Sequence, residues 1–439
     1  MRRPLVVLAV LSLPCAAHAA TPLQVSGYIT AIHPSSGFDL QGVHIALTAN
    51  TQLCIHTPAT PSGYTETCKP AGTVTPPSFY IGQTMDAFGR INQSAHTLTA
   101  DKLVPVPASI ASVKGVAIID LVPATQPTDP KERTIRADGY LLHITAKTKL
   151  NLAPPLKSLA DVSTNQWIEY SGVQQLDGTV LLDYAGIGPN TVEHTEEKLR
   201  KKTEYDPSAV PNDAHQSSIS KTFLGVDYKR IPPYHDAAMQ ARVERIGNSL
   251  IPAYQQALPT GDPAKISFRF QVIDEKKWHD AVTLPSGVIV IPHQVIERLQ
   301  NDDQLATVLA DNIAENLEKD TIHMVAVSHK VLAADIAGNV AGAFVPGLGI
   351  ATDLAGGGAA AHVHKLQLQQ SGRVSLCLMH DAGYDINQAP LAWWLLASKK
   401  PKPLDTVAIP PRALTLYIAL GTTWHAPASP APIASARHP

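Results

Sequence analysis

The stretch that decides the reading is Asn301-Asp302-Asp303-Gln304-Leu305-Ala306-Thr307-Val308-Leu309-Ala310-Asp311-Asn312-Ile313-Ala314-Glu315-Asn316-Leu317-Glu318-Lys319. Asn301-Asp302-Asp303 places polar and acidic side chains where the first turn of a helix leaves its N–H groups without partners. Leu305, Val308, Leu309, Ile313 and Leu317 recur three and four apart, which predicts one helix running to about Lys319 with a single buried stripe. Asp311 and Glu315 are four apart and project from one face, one turn from each other, with Asn312 between them in sequence.

Upstream, Pro232-Pro233 precedes a helical pattern at Met239, Val243, Ile246 and Leu250. Ile266 to Ile273 alternates as a strand, and Val288-Ile289-Val290-Ile291 is a short apolar strand after the turn Pro285-Ser286-Gly287. Downstream, Leu414, Tyr417, Ile418 and Leu420 have helical spacing between Arg412 and Trp424.

The run Leu284-Pro285-Ser286-Gly287-Val288-Ile289-Val290, then Asp303 to Ala310, then Gly383-Tyr384-Asp385, resembles the gluzincin metallopeptidases of the CAAX-prenyl-protease, HtpX and BepA type. The resemblance covers about Tyr234 to Leu396 and implies a mainly helical α+β, zincin-like domain. In that family an LPGG-like turn and strand precede a helix carrying HExxH, and a later helix ending in an AGYD-like turn carries a third ligand, Glu. Carried onto this chain, the first His falls on Asp311, the catalytic Glu on Asn312, the second His on Glu315 and the third ligand on Gln370. Gly372 and Arg373 occupy the usual Asp-Arg.

Zinc in such sites takes two neutral imidazoles and a carboxylate and keeps one position open to water. Asp311, Glu315 and Gln370 offer only oxygen donors, a set that suits Ca²⁺ or Mg²⁺ better. Hydrolysis also needs a titratable base, and the amide of Asn312 cannot serve; losing a general base lowers a rate by about 10²–10⁴. Asp311 and Glu315 are expected to pair with a Lys or Arg, such as Arg373, or to share a proton. The expectation is therefore a pseudopeptidase that uses no cofactor. The rival is a zinc metalloendopeptidase with unorthodox ligands. The gluzincin cleft holds substrate as an added strand, which puts peptide binding on Val288, Ile289, Val290 and Ile291 as an edge strand. His323, His329, His362, His364 and His380 lie in the same region and are read as ordinary core or surface histidines.

Before this region the pattern changes to short β runs from Gln24 to about Gly188. Val25–Ile32, Gly42–Leu47, Ile81–Gly89 and Thr97–Ala100 are echoed in order by Val113–Ile119, Gly139–Ile144, Trp167–Gly172 and Thr179–Leu182. A period of roughly 85–90 residues predicts two related all-β domains, similar in layout to an oligonucleotide/oligosaccharide-binding barrel; one undivided β-sandwich is the alternative. The scattered His33, His44, His56, His96 and His143 show no ligand spacing in sequence.

Arg2-Arg3, the apolar run Leu5 to Leu13 and Ala17-His18-Ala19 read as a secretory signal peptide cut after Ala19. An oxidising compartment then allows a disulfide between Cys54 and Cys68, while Cys377 sits alone in an apolar helical pattern. With 16% charged residues and a net charge of -2, there is no basic field to gather phosphates, which argues against nucleic acid as a partner. An extended polypeptide or an envelope protein is the partner expected.

The Gly- and Ala-rich stretch from Ile336 to Val363, broken by Pro346-Gly347, falls just short of the ~20 apolar residues of a membrane span. It is expected to pack as a helical hairpin or to touch the membrane peripherally. The divisions expected are a signal peptide over 1–19, β-domains over 20–108 and 109–189, a linker over 190–231, a metallopeptidase-like domain over 232–424 and a tail over 425–439. The charge cluster Glu196 to Lys202 reads as a solvated face of that linker.

Overall fold

The computed structural model describes residues 23–60, 63–71, 79–92, 94–106, 111–204, 231–276, 278–320, 322–323, 359–398, 402, 404 and 408–424. The expected signal peptide, most of Ile336 to Val363 and the tail over 425–439 lie outside the described residues.

The first sheet holds β1 (Leu23–His33), β2 (Gly37–Leu40), β3 (Val43–Ala46), β4 (Gln52–Thr60), β5 (Gly63–Pro70), β6 (Thr84–Asn92) and β7 (Thr97–Pro105). Antiparallel pairing links β3 to β2, β2 to β1, β1 to β6 and β6 to β7, and a parallel pairing of β3 with β7 closes the ring. Ile29, Phe38, Leu40, Ile45, Met85, Ala87 and Leu98 fill the interior. The alternation of the strands turns their neighbours outward. The β4–β5 hairpin hangs from β7 through β4. Cys54 and Cys68 face each other across that hairpin and are disulfide-bonded.

The second sheet holds β8 (Ser112–Leu121), β9 (Arg133–Ala137), β10 (Tyr140–Ile144), β11 (Lys149–Leu152), β12 (Gln166–Gln174) and β13 (Val180–Pro189). β8, β9, β10, β12 and β13 repeat the circuit of β1, β2, β3, β6 and β7, again closed by a parallel pairing, here of β10 with β13. Each closed ring has its own core, so the architecture is two five-stranded barrels and not one sandwich. The sequence echoes join equivalent strands: β1 with β8, β3 with β10, β6 with β12, and β7 with β13.

The remainder holds α1 (His194–Lys202), α2 (Ala237–Leu250), α3 (Ala253–Ala257), β14 (Arg269–Ile273), β15 (Val282–Thr283), β16 (Val288–Pro292) and α4 (His293–Arg298). After these come α5 (Asp302–Leu317), α6 (Ala359–Asp381), α7 (Ala389–Leu396) and α8 (Pro411–Ala419). Helix α5 is the decisive stretch. The Asn301 side chain accepts from the Gln304 N–H at 2.8 Å, and nearly every residue of the helix is buried. Lys319 ends it at φ 55, a left-handed position that glycine usually takes.

In the charge cluster from Glu196 to Lys202, Glu197, Lys198, Lys201 and Lys202 are exposed as expected, but Glu196 is not. The cluster forms α1, whose Glu196 is 2% exposed and paired with Lys319 at 2.7 Å and with Arg200 at 2.6 Å. A run of charges reads as solvated until a remote residue supplies its counter-ion. The end of α1 also ties down the 284–287 turn: Ser286 N–H donates to Thr203 Oγ1, and Ser286 Oγ to the Thr203 carbonyl.

Asp138-Gly139 forms the two-residue turn between β9 and β10, with φ 54 and 73. A two-residue hairpin needs positive φ at both positions, which an Asp-Gly pair tolerates. A Cβ on Gly139 would stand 2.5 Å from Arg373 Cβ and 2.8 Å from the Arg373 backbone on α6. The second barrel thus seats its hairpin directly on the backbone of α6. Gly139→Ala should destabilise the folded chain by about 1–3 kcal/mol, the range for overpacking a filled site. Urea unfolding at fixed pH measures this, and an unchanged midpoint would contradict the close seating.

Candidate functional site

Helix α5 presents Asp311, Asn312 and Glu315 where the resemblance places the working groups. Asp311 is 1% exposed. Arg412, in the first turn of α8, reaches it: Arg412 Nη2 pairs with Asp311 Oδ2 and Arg412 Nη1 with Asp280 Oδ2. Glu315 Oε1 lies 3.7 Å from the same Nη2. The guanidinium lies over the Trp393 ring, 3.6 Å from its centroid. A planar cation is thus held by three carboxylates and an aromatic face.

These carboxylates were expected to pair with a Lys or Arg, with Arg373 as the example, or to share a proton; the arginine that meets them is Arg412 and not Arg373. Arg373 donates instead to Asp138 of the second barrel, through Nη2 to Oδ1 and through Nε to the backbone carbonyl at 3.0 Å. Chain spacing could not reveal this choice. Arg412 is 101 residues from Asp311, and a helix start after Pro410-Pro411 carries no mark of what it faces.

Burial pushes the Glu315 carboxyl up to about 8, with the Asp311 charge adding and Arg412 opposing. Burial likewise raises Asp280, against the pull of Arg412. One guanidinium therefore serves a crowd of acids that includes a group ready to hold a proton.

Asn312 is 2% exposed, and its Nδ2 donates to the Val308 carbonyl of its own helix at 2.9 Å. Gln370 does not join Asp311 and Glu315. Its Nε2 donates to the Val116 carbonyl of β8 at 2.8 Å and to Glu318 Oε2 at 3.0 Å. Glu318 Oε2 also accepts the Ile118 N–H at 3.0 Å, and burial raises this carboxyl well above the usual range. The position of the family's third ligand thus grips a barrel strand.

Further contacts continue the seam between the second barrel and the helices. Arg136 of β9 makes a two-pronged pair with Asp381 of α6, at 3.1 and 2.5 Å, and binds Asp120 at 2.8 Å. Tyr170 donates to Asp138 Oδ2 at 2.6 Å. His323 lies beside Trp167, ring centroids 5.6 Å apart, and burial, then Lys319, pushes its imidazole down to about 4. It is a neutral packed group, not a ligand brought to Asp311. Cys377 is buried, and burial pushes its thiol up.

The oxygen donors at Asp311 and Glu315 face a fixed cation, and Gln370 is turned elsewhere, so these residues do not fit a zinc ion of the family's type.

Val288, Ile289, Val290 and Ile291 were expected at a sheet edge. The structure corrects this: β16 is the central strand, parallel to β14 on one side and antiparallel to β15 on the other, with every residue buried. An apolar run reads equally as a buried centre strand or a half-covered edge until its neighbours are known. The two-residue β15 forms the terminal strand of this sheet.

The fold and the helix pair α5–α6 define a metallopeptidase-like α+β domain behind two barrels. Residues 237–398 match the model of peptidase family M48, and this segment is an M48-type metallopeptidase-like domain. No curated protein matches the chain.

Arg412→Ala strands buried acids and should lower stability by about 3–5 kcal/mol, the loss on removing one partner of a buried pair. Glu315 gives a pH signature. A carboxyl raised to about 8 in the fold favours the fold below its unfolded value of 4.5, and that contribution is lost as pH rises through 8. Glu315→Gln should therefore shrink the fall in stability between pH 5 and pH 8.5. Identical pH profiles for the two proteins in chemical denaturation would refute the assignment.

Proposed function

We propose that the chain is an exported, non-hydrolytic scaffold of the cell envelope whose M48-type domain binds an extended polypeptide or an envelope protein without cleaving it. The observation that carries this is Arg412 seated among Asp280, Asp311 and Glu315. A permanent cation satisfies these acids where the resembling enzymes use histidines to hold zinc. The base position supports the same reading, because the Asn312 amide cannot titrate and is tied to its own helix. Export is supported by the Arg2-Arg3, apolar and Ala17-His18-Ala19 order and by the Cys54–Cys68 disulfide. Among the described residues, no helix is long and apolar enough to cross a membrane.

The edge that suits a guest strand is β15. Leu284 N–H bonds to the Val288 carbonyl, marking that pair as hydrogen-bonded. The adjacent pair Thr283–Ile289 is then the open kind, and the Thr283 N–H and C=O point away from β16. Thr283 is 5% exposed, so an extended peptide pairing there, beside α5, must displace what covers it. The Thr283 hydroxyl already accepts from Asn316.

Purified chain supplied with zinc should cleave no unstructured polypeptide, with or without chelator. Chelator-sensitive proteolysis by the wild-type chain would replace this reading with the metallopeptidase one. Asp311→His, Asn312→Glu, Glu315→His and Gln370→Glu together should gain no such activity while Arg412 remains. For the edge, Thr283→Pro should abolish binding of an extended peptide in fluorescence anisotropy. Thr283→Val, which loses only the bond to Asn316, should retain it. Equal binding by both variants would remove β15 as the docking strand.

A further inference from the structure

Three side chains on the first barrel meet in a way their spacing in sequence did not suggest. Asp39 of β2 stands opposite His44 of β3 and opposite Ala31 of β1, and His33 follows two residues after Ala31 on the same face of β1. Their neighbours Phe38, Leu40 and Ile45 are wholly buried in the barrel, so the strand alternation turns Asp39 and His44 to the outer surface. There Asp39 divides its two oxygens. Oδ1 lies 2.9 Å from His44 Nδ1, and Oδ2 lies 3.0 Å from His33 Nε2. The two rings meet edge-on with centroids 5.3 Å apart.

We propose that His33, Asp39 and His44 form a metal site on the outer face of the first barrel that takes a zinc ion. Their three ligand atoms already lie within 4.8 Å of one another. A tetrahedral ion with bonds of ~2.0–2.1 Å sets its donors roughly 3.3 Å apart. The two nitrogen–oxygen separations are a little shorter than that value, and each runs to a different Asp39 oxygen. An ion held through one of those oxygens therefore needs the other imidazole to turn toward it, within a cluster whose ligand atoms already lie inside 4.8 Å. Two imidazoles and one carboxylate are the donor chemistry that zinc prefers over Mg²⁺ or Ca²⁺, which seek oxygen-rich shells. Three protein ligands leave a fourth position for water or for a donor from a partner.

The site is partly built before any ion arrives. Asp39 holds both rings in place, and the Thr30 hydroxyl donates to the Asp39 backbone carbonyl at 3.2 Å. The side chains keep 27–45% exposure, which leaves a path from solvent. The other grouping of this kind among the described residues, Cys54, Glu66 and Cys68, has its sulfurs joined to each other and offers no thiolate. Metal binding requires unprotonated imidazoles, so affinity should fall in acid. The site is remote in sequence from α5 and independent of the reading given to Asp311 and Glu315.

The test uses the full chain, stripped with chelator and titrated with zinc chloride by calorimetry at neutral pH. The expected result is one zinc per chain. Asp39→Asn and His44→Ala should each weaken it by more than about tenfold, the least that disturbing even an outer partner of a metal site produces. His33→Gln, on a different strand, guards against a variant that fails to fold, with thermal unfolding as the check. Glu315→Gln should leave the zinc titration unchanged, which separates this site from the α5 cleft. Absence of zinc binding by the wild type, or equal binding by all three barrel variants, would overturn the proposal and leave a hydrogen-bonded clamp of two imidazoles on one carboxylate.

Discussion

A carboxylate cannot be left alone in a protein interior, and Asp311 is almost wholly out of water. Removing such a charge from solvent costs several kcal/mol unless a counter-charge and hydrogen bonds answer it. That demand fixes the first turn of α8, because Arg412 must reach across to Asp311 while also serving Asp280 and Glu315. It fixes Trp393 too, whose face carries the guanidinium. The centre of the M48-type domain is held by an arginine of its own chain, and the surrounding helices are arranged around that contact.

The same demand builds the join between the domain and the second barrel. Glu318 accepts from a β8 amide and from Gln370, Asp138 accepts from Arg373 and Tyr170, and Arg136 bridges Asp120 and Asp381. Glu318, Asp138 and Arg136 each face one partner from the other unit and one from their own. Lys319 shows how tightly the pieces interlock. It ends α5 in a left-handed conformation, lies near the Trp167 ring and pairs with Glu196 of α1. Two positions that align with the family's metal-binding segment, Gln370 and Arg373, serve this join.

The barrels contribute differently. Their interiors are apolar and complete, and their outward positions carry the chemistry. On the second barrel those positions meet helices. On the first they gather His33, Asp39 and His44 over one carboxylate. The first barrel also touches the C-terminal helix, where the missing side chain of Gly82 leaves room for the Tyr417 carbonyl. Two copies of one topology thus meet different neighbours.

By itself the sequence determined several of the elements and their kind, though not α1, which read as linker. Periodicity placed α5 and its stripe, alternation placed the strands, and the ordered echoes revealed two barrels, because these patterns are local and repeat within one turn or one strand. The framework of turn, strand and helix was specific enough to mark the M48-type segment, and the resemblance puts Asp311, Asn312, Glu315 and Gln370 at its working positions. Only the tertiary structure decided what those side chains touch. Val288 to Ile291 lies at the centre of its sheet, Glu196 is buried, the arginine that meets Asp311 is Arg412, and Asp39 joins two histidines. Each of these depends on a partner brought close by folding. Spacing along the chain records which face a residue is on, but the counter-charge or neighbouring strand that faces it comes from a part of the chain with no fixed distance in sequence.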